Sequence, residues 1–203
     1  MFCQASSLAN IMAKKTIKIG GASGYWGESA MATPQLLQAK GIDYLVYDYL
    51  AEITMSIMAR TKAKDPNKGY ATDFVDLVIR LFADQITQKG VKIIANAGGT
   101  NPIACGEAVR AILKEKNLPL KVAVITGDDI LPSKVEISGK GHVDMFSGAS
   151  FPDAEKVMSI NAYLGAFPIA KALAAGADII ITCLLYTSPS PRDATLSRMP
   201  SSA

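Results

Sequence analysis

A glycine-rich turn follows the first apolar run of the sequence. In GGASGYWGES, Gly21, Gly24 and Gly27 recur every third residue, and Ser23 lies between two of them. Glycines allow a tight turn and a close approach of the backbone to a ligand, and the start of a following helix presents free N–H groups to an anion. We therefore predict that Gly21, Ser23, Gly24 and Gly27 bind a ligand; a strand-to-helix turn without a ligand is the alternative.

Two acidic residues follow the second apolar run. Asp48 comes where dinucleotide-binding proteins place the acid that binds a ribose, so it is a predicted ligand-binding residue. Glu52 is four residues further on and would share a helical face with Asp48 if AEITMSIMAR is helical. Such a carboxylate pair could exchange protons with a substrate, which makes Glu52 a predicted catalytic residue.

Two further polar turns follow the third and fourth apolar runs. NAGGTNP supplies Asn96, Gly98 and Gly99 as predicted ligand-binding residues. TGDD supplies Asp128 and Asp129, which are predicted catalytic residues because adjacent carboxylates act as acid or base, bind a metal or hold a ribose. Capping of the next turn explains the two aspartates equally well, and no residue is assigned to a metal.

Five short apolar runs must position these residues, and they are predicted strands over 16–20, 42–49, 91–96, 121–126 and 178–182. Helical segments alternate with them, which predicts an α/β protein with a mainly parallel, Rossmann-like doubly wound sheet. Ligands bind outside the carboxyl ends of the strands in such sheets, where the polar turns lie. The segment 127–157 has no helical pattern and is predicted to be an inserted loop or a small excursion beside the sheet.

Two helices have readable ends. The segment 72–90 is predicted to begin with Asp73 as its cap and to stop at Gly90. Asn101 and Pro102 are the predicted cap and first residue of the next helix. The apolar stripe predicted for the first helix consists of Phe74, Val78, Leu81, Phe82 and Ile86.

Composition excludes several classes of partner. The 203 residues contain 21 Lys and Arg against 18 Asp and Glu, so the near-neutral charge predicts no binding to nucleic acid. No apolar stretch reaches the length of a membrane-spanning helix. The cysteines are three in number and far apart, which favours a reducing, intracellular and cytoplasmic location. Residues 1–14 contain no acid and are predicted to be an unstructured leader, with a mitochondrial location as the alternative.

The end of the chain differs from the rest. CLLYTSPSPRDATLSRMPSSA, residues 183–203, is rich in Ser and Pro and has no apolar period. It resembles a translated sequencing adapter, so we predict a non-native or disordered tail. Residues 15–182 then form one α/β domain that is partial and incomplete at its C-terminus.

Six segments of this domain resemble successive blocks of the acyclic terpene utilisation protein family over about residues 15–182. They are GGASGYWGESAMATPQLL, DYLVYDYLAEITMSIMAR, DPNKGYATDF, NAGGTNP, VAVITGDD and NAYLGAFPIAKALAAGADIIIT. The resemblance implies a role in the catabolism of acyclic terpenes such as citronellol and geraniol, or of branched acyl-CoA compounds. It implies a small-molecule ligand of the acyl-CoA type and identifies no catalytic residues or cofactor.

Two other functions remain as alternatives. A nicotinamide-dependent short-chain reductase is suggested by the glycine turns, but these enzymes need a Lys four residues after a Tyr, and no Tyr in residues 1–182 has one. A non-catalytic subunit of a carboxylase pathway is the other alternative. Whether the chain is an enzyme and whether it forms a homo-oligomer are left open.

Overall fold

The computed structural model describes residues 16–185. Within this range five strands, β1 to β5, cover Ile19–Ser23, Tyr44–Tyr47, Lys92–Ala95, Val122–Val124 and Ile179–Ile181. The helices α1 to α6 cover Ala32–Gln38, Glu52–Lys64, Arg80–Lys89, Pro102–Glu115, Lys134–Gly139 and Phe167–Ala174. The predicted leader over 1–14 and most of the predicted tail over 183–203 lie outside the described residues.

The strands form one sheet in which every pair of neighbours is parallel, in the order β1-β2-β3-β5-β4. The last strand of the described chain therefore lies inside the sheet, with Ile179 paired to Ile93 of β3 on one side and to Val122 of β4 on the other. The predicted parallel α/β fold is confirmed. The order itself could not be derived from the sequence, because it depends on contacts between distant segments.

Helices cover both faces of the sheet, as β5 shows most clearly. Ile179 and Ile181 pack in the main core with helices α3 and α4, whereas Ile180 packs in a second cluster with Ile169 and Leu173 of α6. Successive side chains of a strand point to opposite faces, so this alternation places α4 and α6 on opposite sides. All three isoleucines are fully buried, as expected for a parallel strand that is covered on both faces.

The connections fix where a crevice can form. The chain leaves β3 through α4 on one face, passes the position of β5, and returns from β4 through α6 on the other face. Ligands of open α/β sheets bind where neighbouring connections leave toward opposite faces. This point lies at the carboxyl ends of β3, β5 and β4, whereas β1 is an edge strand of the described sheet.

The first strand begins three residues later than predicted. The sequence predicts Gly20 at the end of the strand and Gly21 in the turn after it, yet they pair with Leu45 and Val46 of β2. A Cβ atom on Gly20 would come 3.0 Å from a methyl group of Leu36, so this glycine lets α1 pack closely on the strand. The turn starts after Ser23.

The predicted helix over 72–90 has a different register from the expected one. Phe74–Ile79 is π-helical and continues into α3, which ends at Gly90 in the left-handed conformation as predicted. The wider π turn shifts the phase of the side chains, so Ile79 is buried and Leu81 is exposed. The predicted stripe is therefore correct at Phe74, Val78 and Ile86, partly buried against the core at Phe82, and wrong at Leu81.

The segment 127–157 is an excursion with little core of its own. It contains the 3-10 turns Leu131–Ser133 and Ala154–Lys156 and the short helix α5, in which no residue is buried. An antiparallel bridge between Asp129 and Asn161 closes the excursion at its base. This segment therefore forms a wall beside the carboxyl edge of the sheet.

Candidate functional site

Asn96 joins the ends of β2 and β3. Its side-chain oxygen accepts a hydrogen bond from the Tyr49 amide at 2.7 Å, and its Nδ2 donates to a carboxylate oxygen of Asp48 at 2.5 Å. Asn96 is buried whereas Asp48 is exposed. These two predicted residues are thus brought together, with the amide engaged by the protein and the carboxylate held toward solvent.

Gly98 and Gly99 allow close packing of chain segments. A Cβ atom on Gly98 would come 2.6 Å from the Thr182 carbonyl oxygen, which already accepts the Gly98 amide. Gly99 has a φ of 53°, and a Cβ atom there would contact Met58 and come 2.7 Å from the Gly69 carbonyl oxygen. These contacts within the chain account for both glycines.

The two adjacent aspartates after β4, Asp128 and Asp129, lie in different environments. Asp128 is buried and accepts a hydrogen bond from the Asn161 side chain at 2.7 Å, while its carbonyl oxygen accepts the Ala162 amide. Burial, and then the neighbouring Asp128 carboxylate, raise the pKa of the Cys183 thiol, which stays protonated. Asp129 is exposed and accepts the Leu131 amide at 3.0 Å. Asp128 therefore ties the start of the excursion to the segment that follows it, and Asp129 faces outward.

Glu52 is the first residue of α2 and lies against Tyr163. The Tyr163 hydroxyl donates to Glu52 Oε1 at 2.9 Å, and the pKa of this exposed carboxyl is lowered by its backbone N–H and then by that hydroxyl. Asp48 precedes the extended cap residue Ala51 and is outside the helix. The expected carboxylate pair on one helical face is therefore wrong, because α2 begins after Asp48.

The first glycine turn is occupied by acidic groups of the chain. The Gly24 amide donates to Glu28 Oε2 at 2.6 Å, and the Gly27 amide donates to Asp73 Oδ2 at 3.4 Å. Asp73 makes no side-chain cap to the following helix, so the predicted cap is wrong. The helix α1 starts only at Ala32, so its first N–H groups are not part of the turn as the sequence suggested.

A cavity of about 230 Å³ lies between the C-terminal half of α2 and the excursion. The Lys62 ammonium group is half-buried at this cavity and donates to the Thr100 carbonyl oxygen at 2.7 Å. The residues that matter most in its lining are Ala59, Lys62, Thr100, Asp129, Met158 and Asn161. Of the predicted site residues, Asp129 alone is among those that line it.

A second cavity of about 200 Å³ continues along α2 toward its N-terminus. Glu52 and Tyr163 line it, and it shares Ser159 and Asn161 with the first cavity. We call the two cavities together the α2 groove. It brings Glu52 and Asp129 to one surface, whereas Ser23 lines a separate space of only about 10 Å³ beside Glu28 and Tyr49.

Sequence reasoning missed three residues of the α2 groove. Lys62 lies in the last turn of α2, and Asn161 and Tyr163 lie in an irregular segment far along the chain. None of them closely follows a strand, as the predicted site residues do. The bridge between Asp129 and Asn161 and the hydrogen bonds from Asn161 to Asp128 and from Tyr163 to Glu52 bring these segments together.

Two further properties concern residues 16–185 as a whole. No group of three or more His, Cys, Asp or Glu side chains in this range is arranged to hold a metal ion. No helix in the same range has both the length and the apolar character needed to cross a bilayer.

Comparison with known proteins identifies the family. The family model described as "Acyclic terpene utilisation family protein AtuA" matches residues 17–185 and so includes Cys183 and Leu184, which are both buried. No curated protein and no solved structure is significantly similar to the chain. Because the match covers most of its length, the chain belongs to the acyclic terpene utilisation family.

Proposed function

We propose that this protein binds an anionic ligand of the acyl-CoA type in the α2 groove, as part of the catabolism of acyclic terpenes or branched acyl-CoA compounds. The family match supports the pathway. The observation that carries the ligand is the half-buried Lys62 in a cavity at the carboxyl edge of the sheet. This is the edge at which open α/β sheets bind their ligands.

Lys62 is the base that the α2 groove offers to an anion. Lys62 uses one of its three N–H donors on Thr100, which leaves two for a ligand. Arg60 and Lys64 lie on the same part of α2, and Lys156 lies on the facing segment. The α2 groove itself is lined by one base, Lys62, and by two acids, Asp129 and Glu52, and Arg60 and Lys156 line a neighbouring cavity.

The groove also has an apolar part. Ala59, Leu131 and Met158 line the cavity beside Lys62, and Met55 and Leu184 line its continuation. An acyl chain buried against these side chains gains about 25 cal/mol per Å² of apolar surface removed from water. A polar head near Lys62 and an aliphatic tail along α2 would therefore both find suitable contacts.

Glu52 and Asp129 are the carboxylates that we propose for acid–base chemistry. Both are exposed, and they line neighbouring parts of the groove, so a bound ligand could reach either of them. Asp128 would support the site by holding Asn161 in place. Binding at the first glycine turn, through Gly24 and Gly27, would require the Glu28 carboxylate to leave the Gly24 amide.

Calorimetric titration with an acyl-CoA of a citronellol- or geraniol-derived acid tests this proposal. Lys62→Gln should weaken binding at least about tenfold, because it removes a charge-assisted hydrogen bond. Asp129→Asn should leave the affinity equal or higher, because it removes a negative charge beside the anion. Lys89→Gln is the matched control, since Lys89 is an exposed base in the last turn of α3.

Urea unfolding should also distinguish the roles of Asp128 and Asp129. Asp128→Asn should lower the free energy of unfolding by about 1–3 kcal/mol, because the Asn161 side chain loses a buried, charged acceptor. Asp129→Asn should leave it nearly unchanged.

Equal affinity of the wild type and Lys62→Gln for the acyl-CoA would contradict the proposed site.

A further inference from the structure

A cavity of about 270 Å³ lies apart from the α2 groove, beside Met58 and Thr61 of α2. Two aromatic side chains from different loops, Trp26 and Tyr70, line it together with Lys68. Its other main lining residues are Met58, Thr61 and Thr72. We infer that this cavity, the Trp26 pocket, binds a phosphorylated purine nucleoside. The flat base would lie against Trp26 and Tyr70, and the phosphate would meet Lys68.

The Trp26 wall is held in place by the segment after β2 and by the core. The Trp26 amide donates to the Tyr49 carbonyl oxygen at 3.1 Å, and the indole packs against the main core while remaining half-buried. Gly27 has a φ of 90°, which turns the chain away directly after Trp26. Ordering a large side chain before the ligand arrives reduces the entropy lost on binding.

The Tyr70 wall is fixed by the turn between β3 and α4. The Gly69 carbonyl oxygen accepts hydrogen bonds from both the amide and the hydroxyl of Thr100, and the Ala71 amide donates to Ala97 at 2.8 Å. Gly69 has a φ of 98°, and a Cβ atom there would come 2.8 Å from Thr100 Oγ1. The segment before Tyr70 is held as well, because the Asn101 side chain donates to the Lys68 carbonyl oxygen at 2.9 Å.

The polar groups of the pocket match a phosphate and a heteroaromatic ring. Lys68 is exposed, and its ammonium group forms no ion pair with any residue in the described range 16–185. Burial raises the pKa of Tyr70, so its hydroxyl stays neutral and can donate to or accept from a base nitrogen. An indole and a phenol ring offer stacking faces, and a lysine is a suitable point charge for phosphate.

The pocket includes its own reporter, because Trp26 is the single tryptophan of the chain. Titration of the full chain with AMP should quench or shift Trp26 fluorescence in a saturable manner. Adenosine should produce the same spectral change at higher concentration, since it keeps the base and lacks the phosphate. Ribose 5-phosphate should produce none, because it lacks the ring.

Variants test where the ligand binds. Lys68→Gln should weaken AMP binding by about fivefold and leave adenosine binding unchanged. Tyr70→Leu should weaken both by at least about fivefold, whereas Tyr70→Phe, which keeps the ring, should weaken them less. Circular dichroism of each variant checks that the fold is retained. Lys62→Gln, in the α2 groove, should leave AMP affinity unchanged, which separates this inference from the proposed function.

Coenzyme A is titrated in parallel with AMP, because a purine nucleotide can be free or part of the coenzyme. Binding of either one that is sensitive to Lys68→Gln supports the pocket, and tighter binding of coenzyme A assigns it to the coenzyme. Absence of a fluorescence change and of calorimetric heat at millimolar AMP and coenzyme A would overturn the inference. Binding that is equally strong in Lys68→Gln and Tyr70→Leu would overturn it too.

Discussion

Polar residues at the carboxyl edge of the sheet are of two kinds: some are buried and support the fold, and others are exposed to solvent. Asn96 and Asp128 are buried. Asn96 forms hydrogen bonds with Asp48 and Tyr49, and Asp128 forms one with Asn161. Asp48 and Asp129 are exposed neighbours of these buried groups. A substitution of a buried member should therefore act on stability, and a substitution of an exposed member should act on ligands.

Tyr163→Phe should raise the pKa of Glu52 toward its ordinary value. The Tyr163 hydroxyl hydrogen-bonds to Glu52 Oε1 and favours its charged form, so the wild-type pKa is lowered. A lowered pKa in the folded state gives stability that is present above the ordinary Glu pKa and is lost as the pH falls through the folded value. Loss of the hydroxyl should therefore reduce the destabilisation seen on acidification.

Carbon-detected NMR of the Glu52 side chain measures this shift directly. Tyr44→Phe is the matched control, because it removes a tyrosine hydroxyl at a residue that does not line the α2 groove. An unchanged Glu52 titration in Tyr163→Phe would show that the contact is absent in solution. The backbone N–H, which is the larger cause of the lowered pKa, should keep it below its ordinary value in either protein.

Secondary-structure elements followed from local patterns where side chains alternate regularly. Each of the five predicted strands overlaps an observed one, and Gly90 and Asn101 end and begin helices as expected. The π-helical turn at Phe74–Ile79 was not predicted, because apolar spacing alone does not reveal an extra residue in a turn. The Phe74 ring packs edge-on against the Tyr47 ring, with their centroids 5.5 Å apart, and this contact anchors the turn in the core.

Gly98→Ala should lower the free energy of unfolding by about 3 kcal/mol. The new methyl group would come 2.6 Å from the Thr182 carbonyl oxygen and 2.7 Å from Pro102, and neither contact can be relieved by a flexible side chain. Gly21→Ala is the control, since nothing lies within 4 Å of a Cβ atom there. It should leave the stability unchanged or raise it by about 0.5–1 kcal/mol.

Urea unfolding monitored by circular dichroism measures both glycine variants. Similar losses at the two positions would mean that the turn after β3 is not packed against β5. A large loss at Gly98 alone would place this glycine among residues needed for the fold. The close contacts within the chain would then explain Gly98 without a ligand.

The whole molecule is organised around β5. The Ile179 amide donates to Lys121 beside β4, and the Thr182 amide donates to Ala95 of β3, so the strand is bonded on both sides. Neither this central position nor the α2 groove could be predicted from local patterns, because both depend on segments that are distant in the sequence. The groove residues found from the sequence, Glu52 and Asp129, each lie a few residues after the end of a strand.

Native-state hydrogen exchange should rank the strands by their position in the sheet. Amides of β5 should exchange only through global unfolding, since the strand is buried on both faces and bonded on both edges. Amides of β1 should exchange faster by local opening, because β1 is an edge strand of the described sheet and Ile19 is 59% exposed. Faster exchange in β5 than in β1 would contradict the strand order.

The central place of a strand so late in the chain also matters during synthesis. When a ribosome has made β1 to β4, the edges of β3 and β4 that face each other still lack the strand that joins them. The backbone N–H and C=O groups along those edges lack hydrogen-bond partners until Ile179–Ile181 have left the ribosomal exit tunnel. Nascent chains of this protein should therefore need protection from aggregation through the synthesis of the long excursion and α6.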